Sequence, residues 1–269
     1  MRPFRTEESE FNKSIAIDAS TIGDITVAVS VYAGRRDELD ILDSIYRAAE
    51  NYPFFPFRDK SHDLSHTTHS DFFEQVITAN VDRLLTTVHL GNDGSDQERV
   101  EAVQSAVLVK QLNPVNTLVI LDGNKDKATR FGRAVSGIMD ELPPIATCVK
   151  SELYYPSSLL ADLCASRLAH EIDHPRHCSA VTPETPITKE EFNHYWGPAY
   201  NSMINSADEV QVEPITQYRA ETVRTRMNCW FEGYMGGGDP YPTDRSIKPI
   251  VKYAQRYGYN ELAKRLSEV

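Results

Sequence analysis

The chain lacks the features that would tie it to a membrane or to an oxidising compartment. No apolar run approaches the roughly 20 residues that span a bilayer. The opening Met1-Arg2-Pro3-Phe4 has no signal-peptide core, so a cytoplasmic protein with no membrane role is expected. Cysteine is scarce: Cys148, Cys164, Cys178 and Cys229 are the whole set. None sits in a CxxC pair, which argues for free thiols over a disulfide framework. Positive charge is also short, with 28 Lys and Arg against 39 Asp and Glu and a net charge of −11. That balance excludes broad, unaided attraction to a phosphate backbone. It leaves room for a nuclease whose local basic groove or bound cations handle the phosphates, and it also fits a generally acidic proteome. Internal repeats and low-complexity tracts are missing as well.

What is present is an ordinary globular composition over 269 residues, 41% hydrophobic and 25% charged. The chain is organised around Thr117-Leu118-Val119-Ile120-Leu121-Asp122-Gly123-Asn124. This is a short, β-branched-rich run suited to a buried parallel strand, and it stops on three turn formers. The carboxyl ends of such strands are where ligands collect in α/β sheets. Asp-Gly-Asn alone also makes a plain turn, so the reading depends on what else answers to it. Two stretches do. Ser14-Ile15-Ala16-Ile17-Asp18 is a second apolar run ending on an aspartate, and the helix opened by Tyr155-Pro156-Ser157-Ser158 carries Asp162 among small and apolar residues. Ionised carboxylates beside buried elements are costly unless hydrogen-bonded, paired or bound to metal. No basic residue adjoins Asp18 or Asp162 in sequence. A divalent cation is therefore the economical partner.

Around these stretches the pattern predicts alternating elements. Residues 14–33 read as a hairpin turning at Gly23-Asp24, and 37–50 as a helix with Asp37 as N-cap. Residues 51–70 break the pattern with Pro53, Pro56 and three histidines (His62, His66, His69) that are either ligands or solvated loop residues. A helix over 70–80 and a strand over 83–90 follow. Ser95 and Glu98 form a capping box for a helix over 96–112. After Asn124 comes a basic segment, Lys125, Lys127, Arg130 and Arg133, which reads either as a solvated helix face or as phosphate contacts beside Asp122. A strand over 145–149 leads to Lys150-Ser151-Glu152, and a helix over 156–172 places Asp162 on a stripe with Ala165 and Ala169. Beyond 175 a loop, helices over 189–206 and 218–234, and a helical hairpin over 245–268 are expected. The division is a polar tail over 1–13, an α/β domain over 14–174 and a helical extension over 175–269.

Strand with Asp, hairpin strand, third strand, helix, strand ending in Asp, then a carboxylate-bearing helix: this order resembles the ribonuclease H-like fold. The chain is similar to ribonuclease HII in Leu121-Asp122-Gly123-Asn124, in Lys60-Ser61-His62-Asp63-Leu64-Ser65 and in Val149-Lys150-Ser151-Glu152 with its following helix. Leu159-Leu160-Ala161-Asp162-Leu163 instead resembles an uncharacterised ribonuclease H-like family with a helix of that pattern. The first strand departs from ribonuclease HII: Asp18-Ala19-Ser20-Thr21 stands where that family carries Asp-Glu-Ala-Gly followed by a basic residue and Gly. One acid and the ribose-reading glycine loop are missing, so a pocket for a single embedded ribonucleotide is not expected.

The resemblance implies an α/β fold with a mixed central sheet flanked by helices, and a two-metal nuclease using Mg²⁺ or Mn²⁺ ions about 4 Å apart. Asp18 would bridge the ions, Asp122 would bind one, and Asp162 with or without Glu152 would complete the set. Lys125 or Lys150 would contact phosphate. The implied partner is nucleic acid, RNA or an RNA/DNA hybrid before DNA alone; no protein partner is indicated. The alternative is a catalytically inactive ribonuclease H-like module that binds nucleic acid or protein. A separate zinc site at His170, His174, His177 and Cys178 is a further option, since His170 and His174 lie one helical turn apart.

Overall fold

The computed structural model describes residues 13–90, 97–112, 117–140, 143–173, 186–188, 213–214, 222–231, 235 and 246–269. Its centre is a sheet whose first five strands are β1 (Lys13–Ile22), β2 (Ile25–Gly34), β3 (Leu84–Leu90), β4 (Thr117–Asp122) and β5 (Ile145–Cys148). Two short strands, β6 (Pro186–Thr188) and β7 (Glu213–Pro214), complete the order β6-β3-β2-β1-β4-β5-β7. β2 runs antiparallel to both β1 and β3, whereas β4 is parallel to β1 and β5 is parallel to β4. A core order of 3-2-1-4-5 with the second strand reversed is the ribonuclease H-like arrangement expected from the element order.

Helices cover both faces: α1 (Asp37–Ala48), α2 (Ser70–Asn80), α3 (Gln97–Leu112), α4 (Lys125–Ser136) and α5 (Pro156–Asp173). The period-2 alternation of the strands decides which residues meet which helices. Ile15, Ile17, Val119 and Leu121 pack with Val103, Val107, Phe131 and Val135 of α3 and α4. Ala16 packs with Leu160, Ala161 and Cys164 of α5 on the other face. The register Ile17↔Leu121 then carries both strands one step further. Asp18 and Asp122 therefore share the α5 side of the sheet, side by side at the carboxyl end of the parallel pair.

The C-terminal segment contributes α6 (Val223–Trp230), α7 (Lys248–Arg256) and α8 (Asn260–Ser267). Their Met227, Trp230, Ile250, Leu262 and Leu266 join one apolar cluster with Leu118 and Ile120 of β4 and Leu39 and Leu42 of α1. The segment expected to be helical also supplies β6 and β7, which pair with the outer strands β3 and β5. Backbone groups that edge strands leave open are what such pieces satisfy. The Ser95 cap and the expected helix over 189–206 lie outside the described residues. Asp37 is the first residue of α1, not its N-cap, and its carboxylate accepts the Gly34 N–H at 2.6 Å.

Candidate active site

Three aspartates act on one another where the parallel pairing of β1 with β4 ends. Asp18 comes from the middle of β1, Asp122 from the last position of β4 and Asp162 from the second turn of α5. The helix approaches closely because Ala161, Ala165 and Ala169 are fully buried against β1 and β2. Asp162 stands at the margin of that alanine stripe. It is half-buried, like Ser166 and His170 one and two turns on.

The carboxylates act on one another. Asp18 is pushed up to about 8, first by burial, then by the negative charges of Asp162 and Asp122. The Ala19 N–H, which donates to Asp18 at 2.9 Å, and the Lys127 ammonium oppose that rise without cancelling it. Asp162 is also raised, mainly by burial and with a contribution from Asp122. Asp122 accepts the Ser151 N–H at 3.0 Å, which ties β4 to the 3-10 turn Ser151–Leu153. The cluster thus concentrates more negative charge than its hydrogen bonds and cations neutralise.

The sequence pattern does not disclose two partners of these acids. The Ser61 N–H donates to Oδ2 of Asp162 at 2.8 Å, and the Ser61 hydroxyl donates to Oδ1 at 2.7 Å. One residue of the loop before α2 thereby fixes the whole carboxylate. Its neighbour Lys60 forms an ion pair with Glu152, which is buried, and also lowers the cost of charge on Asp162. Lys60 and Ser61 lie inside the segment that resembles ribonuclease HII, so a signal exists, but spacing alone does not say that they serve Asp162. Lys127 is the third addition. Its side chain folds over Gly123, where a Cβ would lie 2.7 Å from Lys127 Cδ.

The remaining candidates fall as follows. Glu152 is committed to Lys60, so it is not an uncompensated acid like the aspartates. Lys150 is exposed and holds a left-handed backbone at φ 63°. The Lys125 side chain lies outside the described residues. Among the described residues no group of three His, Cys, Asp or Glu side chains stands in metal-holding geometry. His170 stacks on His66 with ring centroids 4.6 Å apart, and His66 stacks on Phe73. His174, His177 and Cys178 lie outside the described residues. Beyond Asp18, Ala19–Ile22 continue as regular strand paired with Ile25–Ala28, so the missing glycine loop is replaced by an extended hairpin.

No protein-family model and no curated protein matches the chain. Among solved structures it is similar to the ribonuclease H2 from Pyrococcus horikoshii OT3, with 12% identity, a TM-score of 0.44, and coverage of 96% of this chain and 100% of that one. It is also similar to a mutant protein of Bst-RNase HIII, with 16% identity, a TM-score of 0.40, and coverage of 62% of this chain and 54% of that one. The fold assignment itself rests on the strand order and directions given above.

Proposed function

We propose that the chain is a divalent-metal-dependent nuclease that hydrolyses phosphodiester bonds by a two-metal mechanism. The observation that carries the reading is the mutual repulsion of Asp18, Asp122 and Asp162 at one sheet end. Three carboxylates with too little counter-charge are a donor set suited to hard divalent cations, which take oxygen ligands and keep several waters. Asp18, Asp122 and Asp162 would hold Mg²⁺ or Mn²⁺. When bound, such ions lower the pKa of a water nucleophile and stabilise the leaving oxygen. Ser61 orients the Asp162 carboxylate so that each oxygen keeps a lone pair for a ligand. Lys127, whose charge acts on Asp18, and Lys150, in the turn after β5, would contact the incoming phosphate. Glu152 serves through Lys60, holding that ammonium beside Asp162. The substrate class is RNA or an RNA/DNA hybrid, with no preference for a single ribonucleotide embedded in DNA.

A second reading has its own support. The pairing of Glu152 with Lys60, together with the lack of a ready three-ligand geometry among the described residues, favours a ribonuclease H-like module that binds nucleic acid without cutting it. Asp122→Asn separates the two. Wild type and variant are assayed on RNA, DNA and hybrid substrates with Mg²⁺ and Mn²⁺, beside circular dichroism to check the fold. Cleavage by wild type that is abolished in a folded Asp122→Asn supports the nuclease. Binding without cleavage by wild type on every substrate supports the module instead.

A further inference from the structure

On the α3–α4 face of the sheet, across from the face that carries the aspartates, lies a cavity of about 340 Å³. That is near the lower end of the range for small-ligand sites, about 300–1,000 Å³, a size for one nucleotide unit and too small for a duplex. Its floor is apolar: Leu121, the residue before Asp122, with Phe131 and Ala102. Its cationic wall is one face of α4, where Lys127 and Arg130 stand three residues apart. The opposite wall is α3, whose Glu101 and Glu98 pair with them: Lys127 Nζ lies 3.7 Å from Glu101 Oε2, and Arg130 Nη2 lies 3.2 Å from Glu98 Oε2.

The Arg130–Glu98 pair is weak by construction: Arg130 is about a third exposed and Glu98 mostly exposed, the class of ion pair that solvent screening leaves with little net stabilisation. The Lys127–Glu101 contact is long, and the mostly buried Glu101 also accepts from Gln97. A phosphate gives Arg a bidentate acceptor and Lys a full negative charge, and both bonds are stronger than a long surface pair. The charge of Lys127 also acts on Asp18, so a side chain that lines the cavity is felt at the acid cluster. Gly123 is what allows this, because any side chain there would displace the Lys127 stem.

We propose that this cavity is a nucleotide subsite: it takes one phosphate-bearing unit of a nucleic-acid strand, its phosphate on Lys127 and Arg130 and its base or sugar over Leu121 and Phe131. Glu98 and Glu101 hold the two cations in place until the phosphate exchanges with them. The subsite rests on the nuclease reading for its ligand class, but its binding does not require cleavage.

The test uses the full chain carrying Asp122→Asn and a fluorescently labelled single-stranded RNA, with affinity read by anisotropy across a series of salt concentrations without divalent metal. Adding Lys127→Gln and Arg130→Gln should weaken binding about tenfold and flatten the salt dependence by about one to two phosphate contacts. Glu98→Gln with Glu101→Gln should tighten binding and leave the dependence steep, since the cations are freed. A salt dependence unchanged by the first pair of substitutions overturns the subsite, whether or not wild type cleaves. Loss of slope in that pair with a wild type that never cleaves keeps the subsite and sinks the nuclease. No binding of the strand at low salt overturns the subsite.

Discussion

Two carboxylates in this molecule, one buried and one half-buried, have the same perturbation and different meanings. Glu38, in the first turn of α1, is fully buried and pushed up to about 7. Asp18, on β1, is pushed up to about 8. In both, burial is the largest cause. The next contributions have opposite signs. Glu38 accepts the Ser157 N–H at 3.0 Å and the Ser14 hydroxyl at 3.5 Å, and both favour its charge. Ser157 lies in the first turn of α5, where unpaired N–H groups and the helix dipole welcome an anion. Glu38 is a clamp that ties α1 to the start of α5. Around Asp18 the next contributions are two more aspartates, and both disfavour charge. A raised carboxyl pKa is therefore a poor marker of function by itself. What separates a clamp from a site is whether the chain completes the carboxylate or leaves it short of counter-charge.

The comparison predicts its largest contrast in metal dependence. Asp18→Asn should cut divalent-dependent cleavage by about 1,000-fold or more, the effect of several kcal/mol of lost charge stabilisation. Glu38→Gln, which keeps the shape and an acceptor for Ser157, should leave cleavage within about threefold. The same pair can be read without any substrate. Saturating Mn²⁺ should raise the melting temperature of wild type and of Glu38→Gln, by about 2.7 kcal/mol of stability at 100 times the dissociation constant, and should not raise that of Asp18→Asn. Equal metal responses in the two variants would break the distinction drawn between the clamp and the site.

The pH dependence of folding gives the next contrast. Between the ordinary glutamate value of 4.5 and about 7, the folded chain keeps the Glu38 proton that the unfolded chain has already released. Stability from this group is then greatest below about pH 4.5, falls as pH rises, and levels off above about pH 7. The full fall is roughly 3 kcal/mol, since each pH unit between the two values is worth about 1.36 kcal/mol. Urea unfolding in a chelator at a series of pH values measures it. Glu38→Gln should remove this component and leave the one from the aspartates, which extends to about pH 8 for Asp18. Unfolding curves whose pH dependence is the same in wild type and Glu38→Gln would show that Glu38 is ionised throughout and satisfied by its clamp.

Much of this architecture was legible in the residues. The five core strands and the helices α1 to α5 fall within a few residues of their expected positions, because they are apolar runs or helically spaced segments, most of them bounded by Gly, Pro, Asn or Asp. Asp18 and Asp122 were legible because each closes an apolar run, although β1 continues past Asp18 to Ile22 while β4 ends on Asp122. Glu38 was not, since an acidic residue in a helical first turn is ordinary, and only the packing of α5 shows that it is enclosed. β6 and β7 were not legible either. They are three and two residues long, too short to show a period, and exist because β3 and β5 offer open edges. The pairings of Ser61 with Asp162 and of Lys60 with Glu152 span about a hundred residues of chain. No local pattern encodes such a contact.

The smallest effect tests the idea at a single hydroxyl. Ser61 is buried and gives Asp162 two hydrogen bonds, as Ser157 and Ser14 do for Glu38, yet Asp162 stays raised by burial and by the charge of Asp122. If Asp162 is a ligand, the Ser61 hydroxyl orients it, and groups that orient ligands change metal affinity by about 10–100-fold. Ser61→Ala leaves the backbone N–H bond at 2.8 Å in place and removes the 2.7 Å hydroxyl bond, so the lower end, about tenfold, is expected. Ser14→Ala removes the long hydroxyl contact to Glu38 in the same way and touches no proposed ligand. Both should cost about 1 kcal/mol or less of stability without metal, the usual worth of one hydrogen bond. Only Ser61→Ala should move the midpoint of the Mn²⁺-induced rise in melting temperature. The free-metal concentration needed for half the rise is the quantity to measure, because it is insensitive to the shared loss of stability. If Ser14→Ala moves that midpoint as far as Ser61→Ala, the serine at Asp162 is only another clamp, and the ligand role of Asp162 goes with it.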